Sequence, residues 1–128
     1  MSFIVLVSGT RDGVHELVIK TMIDYVIKTY PLNNYTLIHG NAKGVDKQCA
    51  HYVSTLEWEI KPMSAEWDRY GKRAGILRNQ DMVDCHPDFG VFIPSITSIG
   101  TYDCLRRYEL LNKPGIVYEP LKNSFYTF

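Results

Sequence analysis

The stretch "FIVLVSGTRDG", residues 3–13, decides the fold of this chain. Residues 3–7 form an unbroken apolar run rich in β-branched side chains, which is typical of a strand buried on both faces of a parallel sheet. A turn containing glycine follows at once, and beyond it apolar residues recur at helical spacing as far as residue 30. A buried strand that leads directly into an amphipathic helix indicates a βα unit.

The same alternation continues along the chain. Further strands are predicted at 35–40, 57–63, 89–94 and 113–119, with helices between them and a short helix at 76–83. The aromatic residues after the last of these strands are predicted to form a loose tail. Repeated strand–helix units require right-handed crossovers, so the sequence predicts a Rossmann-like three-layer αβα fold. We expect a mainly parallel sheet of about five strands in a single domain, residues 1–128.

The composition narrows the classes of partner. The 128 residues carry 14 lysines and arginines against 14 aspartates and glutamates, and this zero net charge argues against a nucleic-acid backbone as the main partner. The three cysteines lack metal-ligand spacing and indicate thiols in a reducing compartment, so neither a metal nor a cofactor is predicted. Without a signal peptide or a membrane-spanning stretch, a cytoplasmic location is expected.

Four loops that follow predicted strands are rich in glycine, hydroxyl, amide and charged residues. They are "SGTRDG" (8–13), "HGNAKGVD" (39–46), "SAEWDRYGKRAGILRN" (64–79) and "PSITSIGT" (94–101). The carboxyl ends of parallel strands meet at one edge of a sheet, and ligands of such folds bind outside that edge. The sequence therefore predicts a ligand site built from these four loops.

The first loop supplies hydrogen-bond donors. Gly9 would let backbone amides approach a ligand, while Ser8, Thr10 and Arg11 add polar side chains. The alternative is a plain turn in which Asp12 caps the first helix, although that interpretation leaves Arg11 unexplained.

The second loop places Gly40, Asn41 and Gly44 before a helix whose free amides favour anionic or strongly polar groups. Its glycine spacing matches neither the dinucleotide-binding fingerprint nor a P-loop. Asp46 falls in the first turn of that helix, where it would repel phosphate, so sugar hydroxyls are expected beside it. Its alternative role is to complement the helix dipole.

The last two loops add a basic helix and a second helix start. Arg78 and Asn79 lie on a predicted helix, and a guanidinium binds phosphate or carboxylate with two hydrogen bonds. Trp67 could stack on a base, but the interpretation favoured from the sequence is packing in the core. After the fourth strand, Ser98, Gly100 and Thr101 form either a phosphate cradle or a simple helix cap.

The blocks "VLVSGTRDG", "LIHGNAKGVDKQCAHY", "AEWDRYGKRAGILRNQDMV" and "VFIPSITSIGTYDCLRR" resemble the four motif blocks of the SLOG superfamily, named for the SMF/DprA and LOG proteins. The likeness is to its cpYpsA-related, YspA-like family and runs from Phe3 to about Val117. It implies a Rossmann-like fold with a pocket for nucleotides or nucleotide-derived ligands.

Members of the superfamily use this pocket differently. LOG enzymes cleave the N-glycosidic bond of cytokinin nucleotides, and DprA-like members bind single-stranded DNA. LOG enzymes carry a PGGxGTxxE block with a catalytic glutamate. Here Gly100 and Thr101 match its GT, but the paired glycines are missing and the glutamate position falls at Cys104, beside Asp103.

Two functions follow as hypotheses. The first is a sensor or binding module for a nucleotide-derived small molecule. The alternative is a LOG-like phosphoribohydrolase or phosphoesterase, for which Arg78, Asp46 and Asp103 are the candidate catalytic residues. The aromatic tail indicates that the chain could also form a homo-oligomer.

Overall fold

A six-stranded sheet with helices on both faces organises the chain. The computed structural model describes residues 2–128. The strands are β1 (Phe3–Gly9), β2 (Tyr35–His39), β3 (Glu59–Pro62), β4 (Phe89–Ile93), β5 (Gly115–Glu119) and β6 (Ser124–Thr127). The helices are α1 (Glu16–Thr29), α2 (Val45–Thr55), α3 (Trp67–Tyr70), α4 (Ala74–Asp84) and α5 (Ile99–Glu109), with a 3₁₀ turn at Gly71–Arg73.

The strand order is β3-β2-β1-β4-β5-β6, and all pairs are parallel except β5 with β6. From β1 the chain builds outward through β2 to β3. It then crosses to the other side of β1 and builds through β4 and β5. The loops that follow β1 and β4 therefore diverge to opposite faces of the sheet, and the gap between them is where Rossmann-like folds bind ligands. The predicted α/β class and mainly parallel sheet are confirmed.

The apolar run at the start of the chain explains the central strand. Val5 and Val7 pack on the face covered by α1 and α2, whereas Leu6 packs on the face covered by α4 and α5. Successive side chains of a strand point to opposite faces, so a strand buried on both sides needs no polar alternation. All three residues are fully buried.

The predicted loose aromatic tail is wrong. Residues 124–127 form β6, which pairs antiparallel with β5 and extends the sheet to six strands. The ring of Phe125 packs on Tyr118 with centroids 4.8 Å apart, and Phe128 meets the edge of the Tyr108 ring at 6.2 Å. The tail is thus held by backbone pairing and by aromatic contacts, which a short sequence window does not reveal.

Two local predictions also need correction. Asp12 does not cap the first helix; His15 occupies the N-cap position, and its Nδ1 accepts a hydrogen bond from the Leu17 amide at 3.1 Å. The helix predicted at 76–83 spans Ala74–Asp84 and is preceded by α3. Within residues 2–128, no helix is both long and apolar enough to cross a bilayer.

Candidate functional site

A cavity of about 440 Å³ opens at the carboxyl ends of β1 and β4. Its walls come from the loop after β1, the loop after β4, the first turn of α5, one face of α4, and α3. Most of the ligand-binding residues predicted from the sequence line it: Ser8, Gly9, Thr10, Arg11, Asp46, Arg78, Asn79, Ser98, Gly100 and Thr101. The cavity lies where the strand order changes direction, as the fold requires.

The loop after β1 is fixed mainly by packing. A Cβ atom added to Gly9 would lie 2.5 Å from the Cβ of Val45, so this glycine lets α2 approach the strand. The Thr10 amide donates to the Ile93 carbonyl at 2.9 Å, and the Thr10 carbonyl accepts from the Val45 amide at 3.1 Å. These bonds join β1, β4 and α2 at the base of the cavity and leave Arg11 exposed at its rim.

Asp46 is a buried carboxylate at the start of α2. Its Oδ2 accepts hydrogen bonds from the amides of Gly40 at 2.9 Å and Ala42 at 3.3 Å. Burial raises the pKa of Asp46 to about 6, against the opposing effects of these amides and of the Arg78 charge. The residue therefore ties the loop after β2 to α2 while also forming part of the cavity wall.

Arg78 reaches from α4 to the loop after β2. Its Nη1 donates to the Gly40 carbonyl at 2.5 Å, and its Nε donates to Asn79 Oδ1 at 3.1 Å. The guanidinium occupies the space in which a side chain at position 40 would lie. Within residues 2–128, Nη2 makes no hydrogen bond, and Arg78 is one of the residues that line the cavity.

Asn79 connects α4 to α5. Only 2% of the residue is exposed. Its Nδ2 donates to the Gly100 carbonyl at 3.1 Å and to Asp103 Oδ2 at 3.0 Å, while its Oδ1 accepts from Arg78. Both amide hydrogens are thus engaged within the protein, which favours a role in holding the cavity walls together.

The start of α5 presents backbone amides to the cavity. The Tyr102 amide donates to the Ser98 carbonyl at 3.2 Å, so the helical hydrogen bonds begin there and the amides of Gly100 and Thr101 precede them. Ser98 does not cap the helix with its side chain; its Oγ instead accepts from the Ser95 amide at 2.7 Å. An added Cβ at Gly100 would meet no atom within 4 Å, so this turn is open.

Trp67 and Lys72 line the cavity, although neither is among the predicted ligand-binding residues. The interpretation of Trp67 as a core residue is wrong, because the side chain lines the cavity and the residue is 50% exposed. Lys72 lies in the 3₁₀ turn and also lines the cavity. The signal available for both was their place in a loop after a strand, since the segment 64–75 shows no helical or strand period.

Other predicted residues lie away from the cavity. Gly40, Asn41 and Gly44 are not among the residues that line it. A Cβ at Gly44 would meet the backbone of Thr10 and Arg11, and Gly44 has a φ of 86°, so this position requires glycine for packing. Gly40 is covered by the side chain from α4, and Asn41 bonds to Ser64 instead.

His39 and Asp103 also have structural partners. His39 is buried at the end of β2, and its Nδ1 accepts from the Asn41 amide at 3.0 Å. Burial and the nearby lysine and arginine charges lower the pKa of His39 to about 4. Asp103 forms an ion pair with Arg107 at 2.9 Å and lies off the cavity lining. Partial burial acts to raise the pKa of Asp103, but the hydrogen bonds from Arg107 and Asn79 together outweigh it and lower that pKa.

The electrostatics of the cavity favour an anionic ligand. Three cationic side chains line it (Arg11, Lys72 and Arg78) against two carboxyls (Asp12 and Asp46). The positive end of the α5 dipole adds to the same side, because the helix starts at the wall. Among residues 2–128, no cluster of three or more histidine, cysteine, aspartate or glutamate side chains could hold a metal ion.

The strand order and the cavity at its switch point define a Rossmann-like α/β protein. The chain belongs to the YspA, cpYpsA-related SLOG family, whose sequence model matches residues 3–70. This match confirms the resemblance identified from the motif blocks. It covers β1 to α3, whereas the cavity walls from α4 and α5 lie beyond it.

A curated relative extends the comparison. The chain is similar to the Gene 61 protein of Mycobacterium phage D29, with 32% identity over 85 residues, which cover 62% of this chain and 68% of the phage protein. No solved structure matches the chain at a significant level.

Proposed function

We propose that this protein binds a nucleotide or nucleotide-derived small molecule as a sensor or binding module. The observation that carries the proposal is the cavity at the strand-order switch, where the first turn of α5 and three cationic side chains face one space. Free amides at a helix start and nearby guanidinium or ammonium groups are the features that bind phosphate oxygens. SLOG membership is consistent with this ligand class.

The size of the cavity supports a ligand of this class. A volume of about 440 Å³ lies within the range of roughly 300–1,000 Å³ that is typical of small-molecule sites. The cavity is also open on one side, because the residues at its rim, such as Arg11 and Lys72, are exposed. These features support a mononucleotide or dinucleotide-like molecule more than a polymer.

Binding without turnover is favoured because the carboxylates in and near the cavity already have partners within the protein. Asp103 is engaged by Arg107 and Asn79, and Cys104 occupies the position that resembles the LOG glutamate. Burial raises the pKa of Cys104 to about 12, so its thiol is protonated at neutral pH. Asp46 is held by backbone amides. Asp12, the other carboxyl that lines the cavity, is exposed and accepts a hydrogen bond from the Thr10 hydroxyl at 3.5 Å. These engaged carboxyls support binding more than general acid–base catalysis.

The test is calorimetric titration of the protein with AMP, GMP, cyclic AMP and ADP-ribose. We expect at least one of them to bind, and the exposed substitution Arg11→Gln to weaken that binding severalfold through the loss of a cation at the rim. Lys113→Gln is the matched control, since Lys113 is exposed and lies outside the cavity. Absence of heat with all four ligands, or equal affinities of the two variants, would contradict the proposal.

One observation favours a second candidate, a LOG-like hydrolase. Asp46 lines the cavity, and its pKa of about 6 lies in the range expected of a group that exchanges protons near neutral pH. Such an enzyme would release free base from a nucleoside monophosphate. Chromatography of AMP and GMP incubated with the protein would detect that base. Release that persists at the wild-type rate in Asp46→Asn would remove this residue from the mechanism.

A further inference from the structure

Trp67 is exposed in a way that the fold does not explain. The residue begins α3 and leaves half of its surface open to solvent, although an indole is among the largest apolar side chains. The protein's other tryptophan shows the contrast. Trp58 is only 8% exposed and stacks on Tyr35 with ring centroids 4.6 Å apart and planes at 12°. The indole of Trp67, by contrast, lies in the cavity without an aromatic ring stacked on it.

The surroundings of Trp67 form the apolar part of the cavity wall. A Cβ at Gly75 would lie 3.3 Å from Cη2 of the indole, so a glycine inside α4 leaves room for the ring. Gly75 lies in the first turn of α4, and the indole occupies the space that a larger side chain there would take. Ile76 and Ile99 line the same cavity, and Ile99 is 85% exposed.

The cavity therefore offers two kinds of surface. The α5 amides, with Thr101, Ser98 and the cationic side chains, supply polar donors. The indole of Trp67 and the two isoleucines supply apolar surface, and Ile99 lies in the same turn of α5 as the amides. A sugar phosphate would use only the polar donors, because it has no apolar ring. A molecule that joins a phosphate to a flat aromatic ring would use both kinds of surface.

We infer that the ligand carries an intact nucleobase and that Trp67 is the surface on which this base stacks. The inference rests on the proposed function and narrows its ligand class from phosphorylated small molecules to base-bearing nucleotides. Every base has an aromatic face, so stacking fixes the presence of a base without selecting which one. Selection among bases would fall to polar groups around the ring.

The tryptophans provide a direct reporter. In a Trp58→Phe variant, the stack on Tyr35 is replaced by another aromatic pair, and Trp67 becomes the only tryptophan of the chain. We expect AMP and ADP-ribose to quench its fluorescence, because a base stacked on an indole changes its emission. Ribose 5-phosphate, which has no base, is expected to bind with little quenching. Calorimetry on the same samples reports binding independently of fluorescence.

Binding affinities of Trp67 variants distinguish the loss of base stacking from a general disruption of the cavity. Trp67→Ala is expected to weaken AMP binding about tenfold and to leave ribose 5-phosphate binding unchanged, whereas Trp67→Phe keeps most of the AMP affinity. AMP that binds by calorimetry without quenching, or with equal affinity to the wild type and Trp67→Ala, would overturn this inference alone. Absence of binding by AMP, GMP, cyclic AMP, ADP-ribose and ribose 5-phosphate alike would overturn the proposed function with it.

Discussion

The two sides of the cavity are built in opposite ways. The side formed by the loops after β1 and β2 is dense, and its polar groups are bonded to one another: Asp46 to two amides, Arg78 to a carbonyl. The side formed by α3 and the start of α5 is open, with a half-exposed Trp67 and a Gly100 that meets no neighbour. The dense side is held by bonds within the protein, whereas the open side leaves an indole and the start of α5 accessible.

Two glycines, one on each side of the cavity, illustrate this difference. In the sequence, Gly9 and Gly100 occupy equivalent places, each in a loop after a buried strand. In the structure, the first is pressed against α2 and the second faces open space. A glycine beside a strand end therefore indicates close approach in one case and an accessible helix start in the other.

The largest effect is expected from Gly9→Ala on the dense side. The new methyl group would lie 2.5 Å from the Val45 side chain, which is buried and cannot move away freely. Overpacking of this kind costs about 3 kcal/mol of the free energy of unfolding. Urea denaturation measures it. A variant as stable as the wild type would show that the loop after β1 is as adaptable as the open side.

Asn79→Ala is expected to come next, because Asn79 joins the two sides. The substitution removes three hydrogen bonds and leaves the Gly100 carbonyl and Arg78 Nε without this partner. The expected loss is about 2 kcal/mol in the same denaturation experiment. Gln80→Ala is a suitable control. Gln80 follows Asn79 on α4, and its side-chain amide bonds only to Asp84 and Arg107, near the surface. Equal losses in the two variants would contradict a special role for Asn79.

The pH dependence of stability sharpens the comparison within the dense side. The folded pKa of Asp46 is raised from 3.8 to about 6, so its contribution is full below about pH 4 and is lost as the pH rises towards 6. The folded pKa of His39 is lowered from 6.5 to about 4, so its contribution is full above about pH 6.5 and is lost as the pH falls towards 4. The two contributions oppose each other.

Denaturation between pH 4 and pH 7 would separate them. The stability advantage of the wild type over Asp46→Asn should fall as the pH rises, and its advantage over His39→Asn should rise. Each slope is expected to be at most about 1.4 kcal/mol per pH unit. Slopes of the same sign in both variants would show that one of these groups is not buried as described.

The smallest effect is expected from Gly100→Ala on the open side. The added methyl group meets nothing within 4 Å, and alanine is a better helix former than glycine. The free energy of unfolding should therefore rise by less than about 1 kcal/mol. Thermal unfolding compared with that of Gly9→Ala checks the contrast directly. A clear destabilisation of Gly100→Ala would contradict the open surroundings described for Gly100.

The sequence predicted the frame of the molecule well, because the central strands β1 and β4 are largely apolar runs and the loops that follow the parallel strands fall at one edge of the sheet. It could not predict β6, since a four-residue edge strand forms only once β5 is there to pair with it. It also misjudged Trp67, because a segment without a period does not show whether a large side chain points inward.

The sequence predicted where the candidate site lies better than it predicted the contacts that its side chains make. Arg78 and Asn79 were identified as pocket residues, but their side-chain partners lie 38 and 21 residues away in the chain, at Gly40 and Gly100. Such partners depend on how α4 sits on the sheet. Only the assembled fold shows that Arg78 and Asn79 make most of their hydrogen bonds to other groups of the protein.

The two margins of the sheet differ in how they would meet another strand. The β3 margin carries Glu59, Lys61 and Pro62, which discourage strand addition. The β6 margin carries Phe125 and Tyr126 and has no charge or proline between residues 124 and 127. Any strand that added to this sheet would therefore meet fewer obstacles at the β6 margin. Two copies joined there by a twofold axis would use up both open margins, so such an assembly would close as a pair and could not lengthen into a fibre.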